Sequence, residues 1–272
     1  MRAPAPRKAL GQHFLFDRSI LRRIVEAAGV EAGQAVLEIG PGPGGLTRAL
    51  LEAGARVWAL EADSRMVEHL EGEDLGEARA RLRVARADAL EADYLALARE
   101  AGGSLLLVAN LPYNISGPLL ARLLRQRRAF SALTLMLQRE VAERLAAPPG
   151  GRARGRLSAL AQCFCRVRPL FRVPAGAFRP PPKVESMVVR LDVLPEPVRP
   201  LVDEEALWGL VKMGFGQRRK MLRNGLRPLE ERAVPVLTAA GLTGSERPET
   251  LASEDWIALA NALAAYGPAA EV

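Results

Sequence analysis

Up to about residue 194, short apolar runs alternate with stretches of helical period, and beyond that point only the helical period remains. Runs at 36–39, 56–60, 82–86, 104–109, 133–137, 167–173 and 186–191 are short and rich in Val, Leu and Ala, which predicts strands. Between them, apolar residues recur every three or four positions at 19–28, from Leu46 through Ala53, and at 64–70, 92–99, 118–124, 139–147 and 157–164, which predicts helices. Strands alternating with helices build a doubly wound, mainly parallel sheet. The run at 104–109 is apolar throughout, as a central parallel strand requires. Pro195, Pro197 and Pro200 mark a linker. Past it, helical period covers 204–215, 220–226, 230–240 and 253–264. The predicted class is α/β, with a sheet domain at 1–194 and a small all-helical domain at 195–272. Residues 1–15 form a basic arm and a lid.

The first strand runs into Gly40-Pro41-Gly42-Pro43-Gly44-Gly45 just before a helix. Glycines carry no Cβ, so this turn lets backbone approach a ligand closely, and the N–H groups of the following helix face the same ligand. Gly40, Gly42 and Gly45 satisfy the dinucleotide-type G-x-G-x-x-G spacing, a match that by itself also fits a purely structural turn. Glu61 ends the second strand 21 residues after Gly40. There its carboxylate can accept both hydroxyls of a ribose. Asp88, at the end of the third strand, is placed to accept an adenine amine or to cap the next helix. Glu38, just before the glycines, is placed to face a cation.

The most informative stretch is Asn110-Leu111-Pro112-Tyr113-Asn114-Ile115-Ser116, at the end of the fourth strand. A nucleoside site of this kind serves either a dehydrogenase, with a dinucleotide, or a methyltransferase, with S-adenosylmethionine. Glu38 disfavours a pyrophosphate, and the Asn-Leu-Pro-Tyr run suits methylation of an amine conjugated to an aromatic ring. Such an amine is a poor nucleophile because its lone pair is delocalised. The Asn110 side-chain oxygen and the Leu111 carbonyl can accept its N–H groups and aim the lone pair, and Pro112 holds these acceptors in place beforehand. Tyr113 can stack on the base. Phe178, in Phe178-Arg179-Pro180-Pro181-Pro182-Lys183-Val184, is expected to cover the base's other face.

The net charge is +7, which calls for a polyanionic partner, with nucleic acid ahead of a membrane surface. Two further basic stretches fit that partner: the loop at 148–156, whose arginines are placed to reach phosphates, and Arg218-Arg219-Lys220. Cys163 and Cys165 fit neither a zinc pattern nor a disulfide framework. With only His13 and His69 as histidines, no catalytic metal is expected. No apolar run reaches the length of a membrane span, and the N-terminus lacks an apolar signal core, so a cytoplasmic protein is expected.

Four motifs in order resemble those of the rRNA adenine dimethyltransferases: Gly11-Gln12-His13-Phe14-Leu15, Glu38-Ile39-Gly40-Pro41-Gly42, Asn110 through Ser116, and Phe178 through Ser186. The resemblance covers nearly the whole chain, helical tail included. It implies a Rossmann-like methyltransferase sheet and S-adenosylmethionine as cofactor. It further implies dimethylation of two adjacent adenines in a 3′-terminal hairpin loop of small-subunit rRNA during ribosome assembly. The partner is then the 30S subunit, and nothing demands more than a monomer. By the family's pattern the donor is contacted at His13, Leu15, Gly40, Glu61, Asp88 and Asn110; Glu38 and Gly42 join them from the reading above. His13 is a departure, since the family usually has Asn there. The erythromycin-resistance methyltransferases, which act on large-subunit rRNA, usually carry Ile where Leu111 stands. The related mitochondrial transcription factors use the same fold mainly for binding, and the intact Asn110–Tyr113 run argues against that role.

Overall fold

The computed structural model describes residues 4–7, 11–217 and 219–266. The fold divides into two compact units. One comprises the described residues up to Ala142 together with Arg168–Val193, and the other comprises Glu143–Val167 and the chain from Leu194 onward. The helical unit thus takes in a segment that precedes the proline-marked boundary at 194/195. That segment includes the helix Arg156–Phe164, which packs with the tail helices Glu204–Gly216 and Ser253–Ala265. Period alone cannot reveal this, because a linear reading has no access to which helices share a core.

In the first unit the elements run β1 (Phe14–Leu15), α1 (Arg18–Ala28), β2 (Ala35–Ile39), α2 (Gly45–Glu52), β3 (Arg56–Glu61), α3 (Ser64–Glu71) and β4 (Leu82–Arg86). They continue as α4 (Tyr94–Ala101), β5 (Leu105–Asn110), α5 (Ser116–Arg125) and β6 (Phe130–Gln138). The chain then passes through α6 (Arg139–Leu145) and α7 (Arg156–Phe164), the latter belonging to the second unit, before β7 (Cys165–Val173), β8 (Phe178–Arg179) and β9 (Ser186–Val193). The seven-stranded sheet has the order β4-β3-β2-β5-β6-β9-β7. Its β4, β3, β2, β5 and β6 are parallel, and β9 joins β6 antiparallel. The chain reverses direction of winding between β2 and β5, which opens a crevice at the carboxyl ends of those strands.

Strand residues alternate between the two faces of the sheet. Val36, Val57, Ala59, Leu106 and Val108 join Leu21, Ile24, Val25, Leu46 and Leu50 of α1 and α2 in one buried cluster. Their neighbours Leu37, Ile39, Leu105 and Leu107 are buried on the opposite face. Asp17 starts α1 by accepting from the N–H groups of Ser19 and Ile20, and Gly29 ends it in the left-handed conformation. The two-residue strands β1 and β8 pair antiparallel, with Phe14 opposite Arg179 and Leu15 opposite Phe178. These strands are too short to leave any periodic signal, so the sequence pattern does not announce them.

The second unit is built on α7, α8 (Glu204–Gly216), α9 (Leu222–Gly225), α10 (Ala233–Ala239) and α11 (Ser253–Ala265). The two central helices are shorter than their periodicity predicts. A 3₁₀ segment, Arg227–Arg232, with Pro228 at its start and a positive φ at Glu230, separates them. Arg154, one of the arginines expected to reach phosphates, is instead fully buried. Its Nη1 donates to the Ala147 carbonyl and to Gln162, so it pins the loop to α7. Arg152 and Arg156 are exposed. Of the cluster in the tail, Arg219 and Lys220 are exposed, and Arg218 lies outside the described residues, as do 1–3 and 8–10 of the basic arm. Among the described residues no helix is long and apolar enough to cross a membrane.

Candidate functional site

A cavity of about 240 Å³ lies at the carboxyl ends of the parallel strands. Its wall comes from five stretches of chain: Gly11 to Leu15 with Leu21 and Ile24 of α1; Glu38 and the glycine turn; Glu61 and Ala62; Asp88 and Leu90; and Asn110 to Ile115. The fold therefore gathers His13, Leu15, Glu38, Gly40, Gly42, Glu61, Asp88, Asn110, Leu111 and Tyr113 around one space.

The turn works through its backbone. Gly40 and Gly42 have φ of 67° and 54°, a region that side chains rarely adopt. A Cβ at Gly42 would also meet the Phe14 ring at 3.0 Å. Glu61 holds the turn in place: its Oε2 accepts from the Gly42 N–H at 3.1 Å, and its Oε1 accepts from the Asp63 N–H at 2.9 Å. Each carboxylate oxygen keeps a second lone pair for a ligand. Burial raises the Glu61 pKa, and those backbone N–H groups work against the rise.

Glu38 is 1% exposed and makes no ion pair among the described residues. The Thr47 hydroxyl donates to its Oε2 at 2.7 Å. Burial, with a smaller contribution from the negative charge of Glu61, pushes the Glu38 carboxyl up to about 8. A buried carboxyl on a ligand cavity, without a cation of its own, is a site that a positively charged group would complete.

The acceptor corner is fixed from several sides. Asn110 Nδ2 donates to the His13 carbonyl at 3.2 Å, which leaves the side-chain oxygen to the cavity. The Leu111 N–H donates to Met136 of β6 at 3.2 Å, which anchors the turn to the sheet. The Tyr113 hydroxyl meets the Ser186 hydroxyl at 2.5 Å, and burial raises its pKa above the usual tyrosine value. The His13 and Tyr113 rings stack with centroids 5.7 Å apart. His13 Nδ1–H donates to the Pro180 carbonyl at 2.7 Å. Asp88 is exposed and its Oδ1 accepts from the Leu90 N–H at 2.8 Å; the cap of α4 is Asp93, not Asp88.

One expected wall is absent. Phe178 is 2% exposed, belongs to the apolar cluster under α1, and does not line the cavity. Its pairing with Leu15 turns the ring into the core, where burial of an aromatic stabilises more than partial exposure would. Two residues without an assigned role also matter. Asp63 caps α3 and accepts from Gln12 Nε2 at 3.3 Å, tying the lid segment to the sheet. The side-chain hydrogen bond from Arg65 holds Asp63 down at about 2. An Asp directly before a helical run is a cap signal that could have found it. Ser186 carried no such local signal.

A family model described as ribosomal RNA adenine dimethylase matches residues 5–265. The chain belongs to that family. Ribosomal RNA small subunit methyltransferase A of Phenylobacterium zucineum is 48% identical over 257 residues, covering 94% of this chain and 87% of that one. The protein of the same description from Rhodospirillum rubrum is 48% identical over 262 residues, covering 96% and 89%. Among solved structures, a dimethyladenosine transferase from Plasmodium falciparum is similar over 91% of this chain and 96% of that one, with 28% identity and a TM-score of 0.75. The 23S rRNA methyltransferase ErmE aligns over 92% and 99%, with 25% identity and a TM-score of 0.66.

This rRNA adenine dimethylase is a transferase with a Rossmann-like fold, and S-adenosylmethionine is its methyl donor. The donor set of the cavity fits that group. A ribose suits Glu61, a sulfonium and an ammonium suit buried carboxyls, and the glycine turn admits close approach. Bound there, S-adenosylmethionine supplies an electrophilic methyl group on a cationic sulfur.

Proposed function

We propose that the protein dimethylates the N6 amines of two adjacent adenosines in the 3′-terminal hairpin loop of small-subunit rRNA, acting as a monomer on the assembling 30S subunit. The observation that carries the chemistry is the anchored amide of Asn110. Because Nδ2 is engaged by the His13 carbonyl, Oδ1 is held as an acceptor rather than free to exchange places with the nitrogen. With the carbonyl at Leu111 it can take the two N–H groups of an adenine amine and turn the lone pair out of conjugation. Ring and turn are held before the substrate arrives, and that prior order is where such a site gains rate.

Tyr113 supplies a face for the flipped base, and its hydroxyl is held by Ser186. A base leaving its stack loses roughly 1–3 kcal/mol that an aromatic platform can offset. No strong base is required, since the methylated amine sheds its proton readily to water. The helical unit, with Arg219 and Lys220 exposed, is proposed to bind rRNA.

The small-subunit reading is favoured over the large-subunit one by the relatives at 43–48% identity, which are described as small-subunit methyltransferases. The test is to incubate the protein with labelled S-adenosylmethionine and unmethylated small or large subunits, and then map the labelled nucleotides. Label on two neighbouring adenosines near the small-subunit 3′ end is the expected result; label confined to the large subunit would overturn it. Asn110→Ala, run alongside, should lose at least 100-fold in turnover, the scale of a lost preorganised polar contact, while its melting curve stays that of the parent. Near-normal turnover would remove Asn110 from the acceptor role.

A further inference from the structure

The outer surface of α1 carries a group of arginines. Arg18, Arg22 and Arg23 are all exposed and occupy the first half of the helix, and its first turn holds no acidic residue. The Asp17 cap places one carboxylate at the positive end of the helix, and Glu26 stands one turn past Arg22, so the three arginines outnumber the acids on this surface. The apolar residues on the other side of the same helix, Leu21 and Ile24, line the cavity. One helix thus walls the cavity with one face and presents arginines to solvent with the other.

The arginines beside it are held on rings rather than on carboxylates. The Arg23 guanidinium lies 3.9 Å over the Phe171 ring, and the Arg179 guanidinium lies 4.4 Å over the Phe16 ring. A guanidinium over an aromatic ring keeps its full charge, and N–H groups not spent on a carboxylate can take a phosphate oxygen. Phe16 is 44% exposed, with Arg179 over part of its ring.

We propose that Arg18, Arg22, Arg23 and Arg179 form a docking surface for the sugar–phosphate backbone of the rRNA stem, on the sheet-bearing unit itself. The charge of the surface matches a polyanion, in a protein of net charge +7. The proposal rests on the reading of the substrate as an rRNA hairpin. It adds that the stem is gripped from the outside of the wall that encloses the donor, independently of the helical unit.

The test uses the full-length protein and a transcribed 3′-terminal stem–loop of small-subunit rRNA, with binding measured across a series of KCl concentrations. In Arg18→Gln/Arg22→Gln the slope of log affinity against log salt should become shallower by about 1–2, since each lost phosphate contact removes about 0.9. Affinity at physiological salt should fall roughly 10- to 30-fold for two such contacts. Arg18→Lys/Arg22→Lys should keep the slope, because the charge remains. Donor affinity by calorimetry and the melting temperature should match the parent in both variants, which excludes unfolding as the cause. A slope unchanged in the glutamine variant, or lost equally in the lysine variant, overturns the proposal. Parent protein that binds the stem–loop but methylates no small-subunit adenosine would instead sink the proposed substrate, and the slope comparison would still decide the surface, since backbone contact does not depend on sequence.

Discussion

The hydroxyls of Tyr113 and Ser186 meet at 2.5 Å, although 73 residues separate them in the chain. Ser186 is fully buried at the start of β9, where its backbone pairs with Gln138 of β6. The tyrosine ring that faces the cavity is therefore oriented by an antiparallel strand that makes no contact with the cavity itself. Ser186→Ala removes one neutral hydrogen bond, about 1 kcal/mol, and should lower kcat roughly five- to tenfold. Donor affinity should not change, and Ser186→Thr should restore most of the rate. A kcat equal to the parent's would mean that packing alone orients the ring.

Glu38 makes the protein sensitive to pH. Its carboxyl titrates near 8 when folded and at the ordinary 4.5 when unfolded. Between those values the folded state holds a proton that the unfolded state has released, so stability falls as pH rises through the window. Glu38→Gln mimics the neutral acid and should abolish that fall. Parent and variant should melt alike near pH 4.5, and the variant should melt a few degrees higher at pH 8 to 8.5. The variant should also bind S-adenosylmethionine more weakly while its affinity for the uncharged sulfide product changes less, because the carboxylate prefers a cation. Parallel melting curves at every pH would contradict the assignment.

Glu61 has two tasks, which one variant can separate. Its oxygens order the Gly42 and Asp63 N–H groups and are placed to take a ribose. Loss of charge-assisted hydrogen bonds in Glu61→Ala should weaken donor binding roughly 10- to 100-fold. RNA affinity should change far less. Equal losses for both ligands would show that the substitution collapses the turn rather than removing a donor contact.

The helical unit makes its own prediction. Arg219→Gln/Lys220→Gln should flatten the salt dependence of binding to small subunits by about 1–2. Donor affinity should stay at the parent value. An unchanged slope would leave these two residues as ordinary surface.

The sheet and most of the site can be read from the chain because both follow local rules. Glu38, Gly40, Glu61, Asp88 and Asn110 stand at ends of strands whose apolar runs are unmistakable, and parallel sheets bind ligands at those ends. Phe178 and Arg154 depart from the roles their surroundings in the sequence suggest, for a common reason. A two-residue strand such as β8 has no period, and a basic residue inside a basic loop looks solvated until the loop folds back against α7. Ser186 was invisible as a partner because its role depends on a strand pairing, β6 with β9, that no spacing encodes. The tie between Gln12 and Asp63 is likewise a contact across 51 residues.

The two-residue pairing of β1 with β8 closes a loop of chain from Leu15 to Phe178. Any trimming that reaches Phe14 and Leu15 would therefore be felt far downstream. It would strip Phe178 of its strand neighbour, free the Pro180 carbonyl that His13 engages, and loosen Asn110 by removing the carbonyl to which its amide is tied. The beginning of this polypeptide is in that sense a keystone for its own distant middle, and engineering at the amino terminus has to leave residues 11–17 untouched.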